Sequence, residues 1–269
     1  MTPTRRGRST RSRRTASSLT EALVFAAVLG LLMTGVLALV SFAATTGTKT
    51  MTMDDLGDDA RLAVDEVVYQ VRSGDLILPS RTLGTLSYQT NGSSIVLRTP
   101  GYDPATTAVF TGNSDFVALR FDQNTRMLTQ TIQKSTGSAR PTRTEKVLAR
   151  NVASTIFTYR VRDQFTPTES GLHTLTLSRV PLSAPKVFIN GVPAASTFSG
   201  MAQSVTVTTP YRGSDVQVTY AVSPTANSGA ALNSVTEVDV TIRLTDRDQR
   251  NIERVQTLQG GARLRNRRL

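Results

Sequence analysis

The chain has 269 residues, 39% of them apolar and 19% charged, with a formal charge of +11, no Cys, no Trp and one His. That length and balance suit one large or two modest folded domains and argue against wholesale disorder. Without cysteine there is no disulfide framework, no Cys-based zinc site and no Cys nucleophile.

The positive charge sits at the two ends. Arg5, Arg6, Arg8, Arg11, Arg13 and Arg14 precede the first acidic residue, Glu21, and removing these six lowers the balance to +5. Arg263, Arg265, Arg267 and Arg268 crowd the last seven residues, and everything between the two clusters carries about +1. A nucleic-acid-binding domain concentrates Lys and Arg on its folded face, often beside aromatic residues, so nucleic acid is an unlikely partner here.

Residues 22–44, ALVFAAVLGLLMTGVLALVSFAA, carry no charge. About 20 apolar residues cover the ~30 Å hydrocarbon core as a helix, and this run is long enough. The arginines before it orient the chain with its N-terminus in the cytoplasm and the rest outside. Two simpler readings compete. A secretory signal peptide would be cut at Ser41-Phe42-Ala43, before Ala44, although the apolar core is longer than such peptides carry. A plain single-pass anchor fits the length but gives Glu21 no role.

The run SSLTEALVFAAVLGLLMTGVLALVSF resembles the N-terminus of type IV pilins and type II secretion pseudopilins. The resemblance implies that residues 1–16 form a basic leader, removed by prepilin peptidase between Ala16 and Ser17. Glu21 then stands fifth in the mature chain, and Gly30 occupies the family's glycine nine residues further on. Three positions depart from the usual pattern: Ala16 stands for Gly, Ser17 for Phe, and Ala38 for the proline of major pilins. The last departure points to a minor subunit. In the filament such proteins form, Glu21 is implied to pair with the N-terminal amine of a neighbouring subunit, Ser17 after cleavage and N-methylation. That pair would set the axial register. A carboxylate at the edge of the apolar span is costly, which gives such a pairing its physical reason.

After Lys49, the residues Leu56, Ala60, Ala63, Val64, Val67, Val68 and Val71 recur at helical spacing, so an amphipathic helix is expected over 45–74. It continues the 17–44 segment, with an interruption possible near Thr45–Thr50. Asp54, Asp55, Asp58 and Asp59 open this stretch, where carboxylates suit the helix dipole, and Gly74 is a terminator. Consecutive aspartates on a helix point in several directions, so they are not expected to hold a metal.

From residue 83 the period changes to two. Strands are expected at Thr85–Gln89, Ser94–Thr99, Asp115–Asp122 and Met127–Gln133, with turns at Asn91-Gly92 and Gln123–Thr125. Residues 135–144 read as a polar loop, and 148–161 as a short segment leading into a strand. Strand Val235–Leu244, a turn at Asp246–Gln249 and a closing strand or extended tail follow. The order of the last two features, finishing near Arg265-Asn266, resembles the J-type minor pseudopilins and their pilus counterparts. The resemblance covers residues 13–161 and 235–269.

Four further strands, Leu172–Ser178, Lys186–Asn190, Ser204–Thr209 and Asp215–Val222, suggest an inserted all-β module at 166–232. Such surface insertions often carry partner contacts. The expected fold is therefore α+β: a long spine helix packed on an antiparallel head formed by 75–165 and 233–269, with the insertion between.

No catalytic constellation appears. His173 lies in a strand pattern without a nearby acidic partner in sequence, and no Gly-x-Ser-x-Gly elbow or phosphate-cradling loop is present. Asp246 and Asp248 fall short of a calcium ligand set. No enzyme activity, cofactor or metal is expected. The implied function is a minor pilin or pseudopilin in the bacterial cytoplasmic membrane. Its expected partners are other pilin subunits, prepilin peptidase and the inner-membrane assembly platform. An exported or anchored β-rich binding protein is the alternative.

Overall fold

The computed structural model describes residues 19–103, 108–224, 232–247 and 253–265. The long helix α1 (Leu19–Ser73) is followed, among the described residues, by sixteen strands. In chain order these are β1 (Leu76–Leu78), β2 (Ser80–Leu83), β3 (Leu86–Gln89), β4 (Ser94–Asp103), β5 (Ala108–Asp122), β6 (Met127–Gln133), β7 (Arg143–Ala149) and β8 (Val152–Phe165). Then come β9 (Gly171–Thr176), β10 (Lys186–Ile189), β11 (Val192–Ala194), β12 (Ser196–Ser199), β13 (Ser204–Thr209), β14 (Val216–Val222), β15 (Val235–Arg247) and β16 (Glu253–Arg263). All pairings are antiparallel, so the architecture is α+β.

The chain divides into two compact units, residues 1–52 and 53–269. In the first, the segment Glu21–Ala44 is long and apolar enough to cross a membrane, with a mean hydropathy of 2.7 and none of it buried. Helix continues through 45–52, TTGTKTMT, without the expected interruption. Five threonines and a glycine make this the poorest helix-forming stretch of α1. Relative to alanine they cost the helix about 4 kcal/mol.

In the second unit, Ala60, Ala63, Val64, Val67 and Val71 of the expected apolar face are buried and Val68 is half-buried against them, while the Leu56 side chain lies outside the described residues. The helix stops at Ser73. Gly74 N donates to the carbonyls of Gln70 and Val71, and Asp75 N already pairs with Arg98 O at 2.9 Å. Gly74 packs against the Leu97 side chain, where a Cβ would sit 3.3 Å from Cδ2.

Two sheets share one core with this helix. The five-stranded sheet runs β1-β4-β5-β6-β7 and the six-stranded sheet β11-β10-β14-β8-β15-β16. Ile95, Leu97, Val117, Leu119, Leu128 and Ile132 come from the first; Phe157, Tyr159, Val161, Val240 and Ile242 come from the second. The β2–β3 hairpin packs Leu83 and Tyr88 onto Val96 and Ala118 of β4 and β5. Both faces of β4 are thus covered, and the unbroken apolar run Ile95-Val96-Leu97 follows from that.

The stretch read as an inserted module is shared between two sheets. β10, β11 and β14 extend the six-stranded sheet, with β14 paired to β8 from Val216↔Phe165 to Val222↔Tyr159. β9, β12 and β13 form a three-stranded sheet of their own. The two are tied at Asp163, whose carboxylate accepts from Ser178 N at 2.8 Å, Ser178 Oγ at 2.7 Å and Tyr220 OH at 2.7 Å. Partial burial, with the Asp163 carboxylate at hand, pushes the Tyr220 phenol up to about 12. Asn190-Gly191 forms the tight turn between β10 and β11, with φ of 50° and 81°, the left-handed pair that a two-residue hairpin needs.

Candidate functional site

The apolar span begins at Glu21, in the first turn of α1 as an acidic residue suits the helix dipole. Glu21 shares a helix face with Val24, Phe25 and Val28. Gly30 lies within the span, and a Cβ added there would meet nothing within 4 Å. Every fourth residue across it is small: Ala22, Ala26, Gly30, Thr34 and Ala38. Thr34 Oγ1 donates to Leu31 O at 2.8 Å and Ser41 Oγ to Ala38 O at 3.0 Å. Their hydroxyls are therefore satisfied inside the helix, as hydrocarbon requires. Ala16 and Ser17 lie outside the described residues.

A second cluster, which no sequence motif announces, holds α1 against the five-stranded sheet. Gln130 is fully buried on β6 and faces the helix between Leu128 and Ile132. Its Nε2 donates to Glu66 Oε1 at 2.7 Å, and Gln70 Nε2 donates to the same oxygen at 2.8 Å. Burial opposes the charge on Glu66. The two amide donors and the positive charges of Lys146 and Arg143 outweigh it and hold the carboxyl below its ordinary range.

The cluster reaches further through Arg140, whose Nε lies 3.3 Å from Asp115 Oδ2 and whose Nη1 is 3.4 Å from Gln70 Oε1. Asp115 is buried on β5 and also accepts from Ser135 N, Ser135 Oγ and Ser138 Oγ at 2.7, 3.0 and 2.7 Å. The polar loop read at 135–144 is thus pinned to a buried carboxylate. The arrangement positions a helix and anchors a loop.

A third contact fixes α1 on the six-stranded sheet. A Cβ on Gly260 of β16 would come within 2.5 Å of Val64 Cγ1 and 2.9 Å of Val68 Cγ2. Only glycine lets the helix lie this close to the strand. On the opposite face, Gly261 stands beside Asp239, which pairs with Arg160.

His173 sits on β9, paired in register with Val207, and its Nε2 lies 3.1 Å from the carbonyl oxygen of Glu169. Among the described residues, no group of three His, Asp or Glu side chains is placed to hold a metal ion. Asp248 lies outside those residues. Leu172, Val192 and Tyr211, in the stretch read as an insertion, are exposed large apolar side chains.

Comparison with protein families, curated proteins and solved structures finds no match to this chain.

Proposed function

We propose that the chain is a minor pilin or pseudopilin, a structural subunit that performs no catalysis. The arginine-rich leader keeps the N-terminus in the cytoplasm, and prepilin peptidase cuts between Ala16 and Ser17. The apolar helix rests in the bacterial cytoplasmic membrane until an inner-membrane assembly platform draws it into a bundle with other pilin subunits. The β-rich part faces outward, in a type II secretion pseudopilus or a type IV pilus, at the tip or at initiation.

The observation that carries this reading is one helix with two jobs: an apolar, unburied 24-residue span that starts on a carboxylate, and a continuation whose valine face enters a two-sheet core. A plain signal peptide has no use for the continuation. Within the span, small residues four apart let like helices approach closely, and the exchange of lipid contacts for helix–helix contacts drives bundling. Glu21 is assigned the amine of Ser17 on a neighbouring subunit, fixing the stagger between helices.

The test is the mass and N-terminal sequence of the mature protein from its host. A chain beginning at Ser17, one methyl heavier, supports the assignment. A chain beginning at Ala44 replaces it with an exported β-rich binding protein, for which the exposed Leu172, Val192 and Tyr211 are candidate contacts. An intact N-terminus leaves a single-pass anchor and removes the filament role.

A further inference from the structure

We propose that β16 is a docking edge for a second copy of this chain, pairing antiparallel with the same strand of that copy about a two-fold axis at Leu258. β16 ends the six-stranded sheet and has β15 on one side only. Its 11 residues keep one unbroken register with β15, from Glu237↔Arg263 to Arg247↔Glu253. The backbone groups that face the other way follow from one hydrogen bond. Leu264 N donates to Thr236 O at 3.0 Å, so the even-numbered residues of the strand bond to β15. The odd-numbered ones turn their N–H and C=O groups to the free edge. Arg265 N points that way too, and donates to Gly74 O at 2.7 Å. Before it, no backbone partner among the described residues meets Glu253, Val255, Thr257, Gln259, Gly261 or Arg263 on that side, and all six are exposed.

Other sheet edges are short or guarded. β7 carries two register shifts, β1, β11 and β12 have three or four residues, and β9 has six. β16 has no register shift, no proline, and no charge from Val255 to Ala262. A long edge without such devices is a template for another strand.

The strand's own sequence singles out a second copy as the occupant. Odd-numbered residues must oppose odd-numbered ones across this edge, because they hold the free groups. Full overlap then places the axis at Leu258 and pairs Glu253 with Arg263, Val255 with Gly261 and Thr257 with Gln259, each twice. This register also brings opposite charges together at both ends of the strand, a favourable cross-strand pair. Among the described residues, neither Glu253 nor Arg263 makes an ion pair inside its own subunit. Val255, 40% exposed, comes to lie beside Gly261, which has no side chain to cover its own backbone. The two strands exchange about twelve hydrogen bonds, and the two six-stranded sheets become one. One patch meets itself, as a closed two-fold interface requires. The inference does not depend on the filament reading, since the edge is present whatever the apolar span does.

The chain has no cysteine, so single ones can be placed without background. Full-length Thr257→Cys and Gln259→Cys chains, carrying different tags, are mixed in detergent and oxidised; both positions are exposed. Residues facing each other in a hydrogen-bonded pair lie about 5.5 Å apart, within disulfide reach. Two copies of position 257, or of 259, would stand about 9 Å apart, which is too far. The mixture should therefore cross-link between tags roughly tenfold more than either variant alone. Carried by both chains, Glu253→Arg should abolish that cross-link. With Glu253→Arg in one chain and Arg263→Glu in the other, it should return. Equal yields from the mixture and the single variants, or a yield that ignores the charge reversal, overturn the proposal; a dimer held only by the apolar spans gives this result. A Thr257→Cys chain that cross-links only to a different polypeptide in host membranes also overturns it, and gives the edge to that protein's strand. Processing at Ser17 is read independently, so no result here can be mistaken for failure of the filament assignment.

Discussion

Glu66 of α1 accepts a 2.7 Å hydrogen bond from the Nε2 of Gln130, a side chain with no exposed surface at the centre of β6. The pair joins residues 64 positions apart in sequence, and it sets which side of the helix meets the sheet. Glu66→Ala leaves a buried amide donor without its acceptor, a loss of about 1–3 kcal/mol. Urea unfolding of the full chain in detergent should report it as a lowered midpoint.

The same pair makes a pH prediction. The folded Glu66 carboxyl titrates below its ordinary value of 4.5, so the proton binds more tightly to the unfolded chain. Its contribution is therefore complete above about pH 4.5 and is lost as the pH falls through the lower folded value. The stability gap between the native chain and Glu66→Ala should be flat from pH 7 to 5 and narrow below that. A gap that widens in acid would contradict the assignment.

Gly260→Ala should destabilise the second unit by about 1–3 kcal/mol, because the new methyl meets Val64 and Val68 at distances their stiff side chains cannot open. Combining it with Val64→Ala and Val68→Ala makes room, so the effects should be strongly non-additive. Additive losses in a double-mutant cycle would mean that the helix is not seated on Gly260.

Asp115→Ala removes the acceptor for three hydrogen bonds and strands the Arg140 guanidinium, which is only 15% exposed. A loss of 3 kcal/mol or more, about the scale for breaking a buried pair, is expected. Limited proteolysis should then cut within 134–142 well before the strands.

Glu21→Gln keeps the helix apolar and the leader unchanged, so membrane insertion and cleavage at Ser17 should persist. Removing the charge should abolish incorporation into filaments sheared from cells. Normal incorporation of this variant would strip Glu21 of its assigned role.

The long elements were legible in the chain. The valine face of α1 follows from its 3.6-residue period, and β6 and β13 fall at the expected residues because alternation is clear there. β1, β2, β11 and β12 were not foreseen, since three or four residues are too few to show a period. β7 was not foreseen, its first two residues being read as the end of a polar loop and its last two as the start of the next segment: it is an edge strand with two register shifts, and Glu145 takes a φ of 48°. The division of residues 166–232 between two sheets was equally invisible. β14 alternates cleanly, but nothing in its sequence says that its partner is β8 rather than β13. Of the candidate positions, Glu21 stands out as the charge at the head of an apolar run and Gly30 as a glycine within it. Glu66 and Gln130 do not, because each is ordinary beside its neighbours and acquires meaning only when distant segments meet.

The seat of α1 on Gly260 also has a consequence for biogenesis. Val64 and Gly260 are about 200 residues apart in the chain, so the helix is synthesised early and its partner strand almost last. Contacts of such sequence separation form slowly. At a synthesis rate of about 5–20 residues per second, the contact of Val64 and Val68 with Gly260 waits tens of seconds for β16 to emerge, long after the five-stranded sheet. The seat on Gly260 is therefore among the last contacts of the helix that can close.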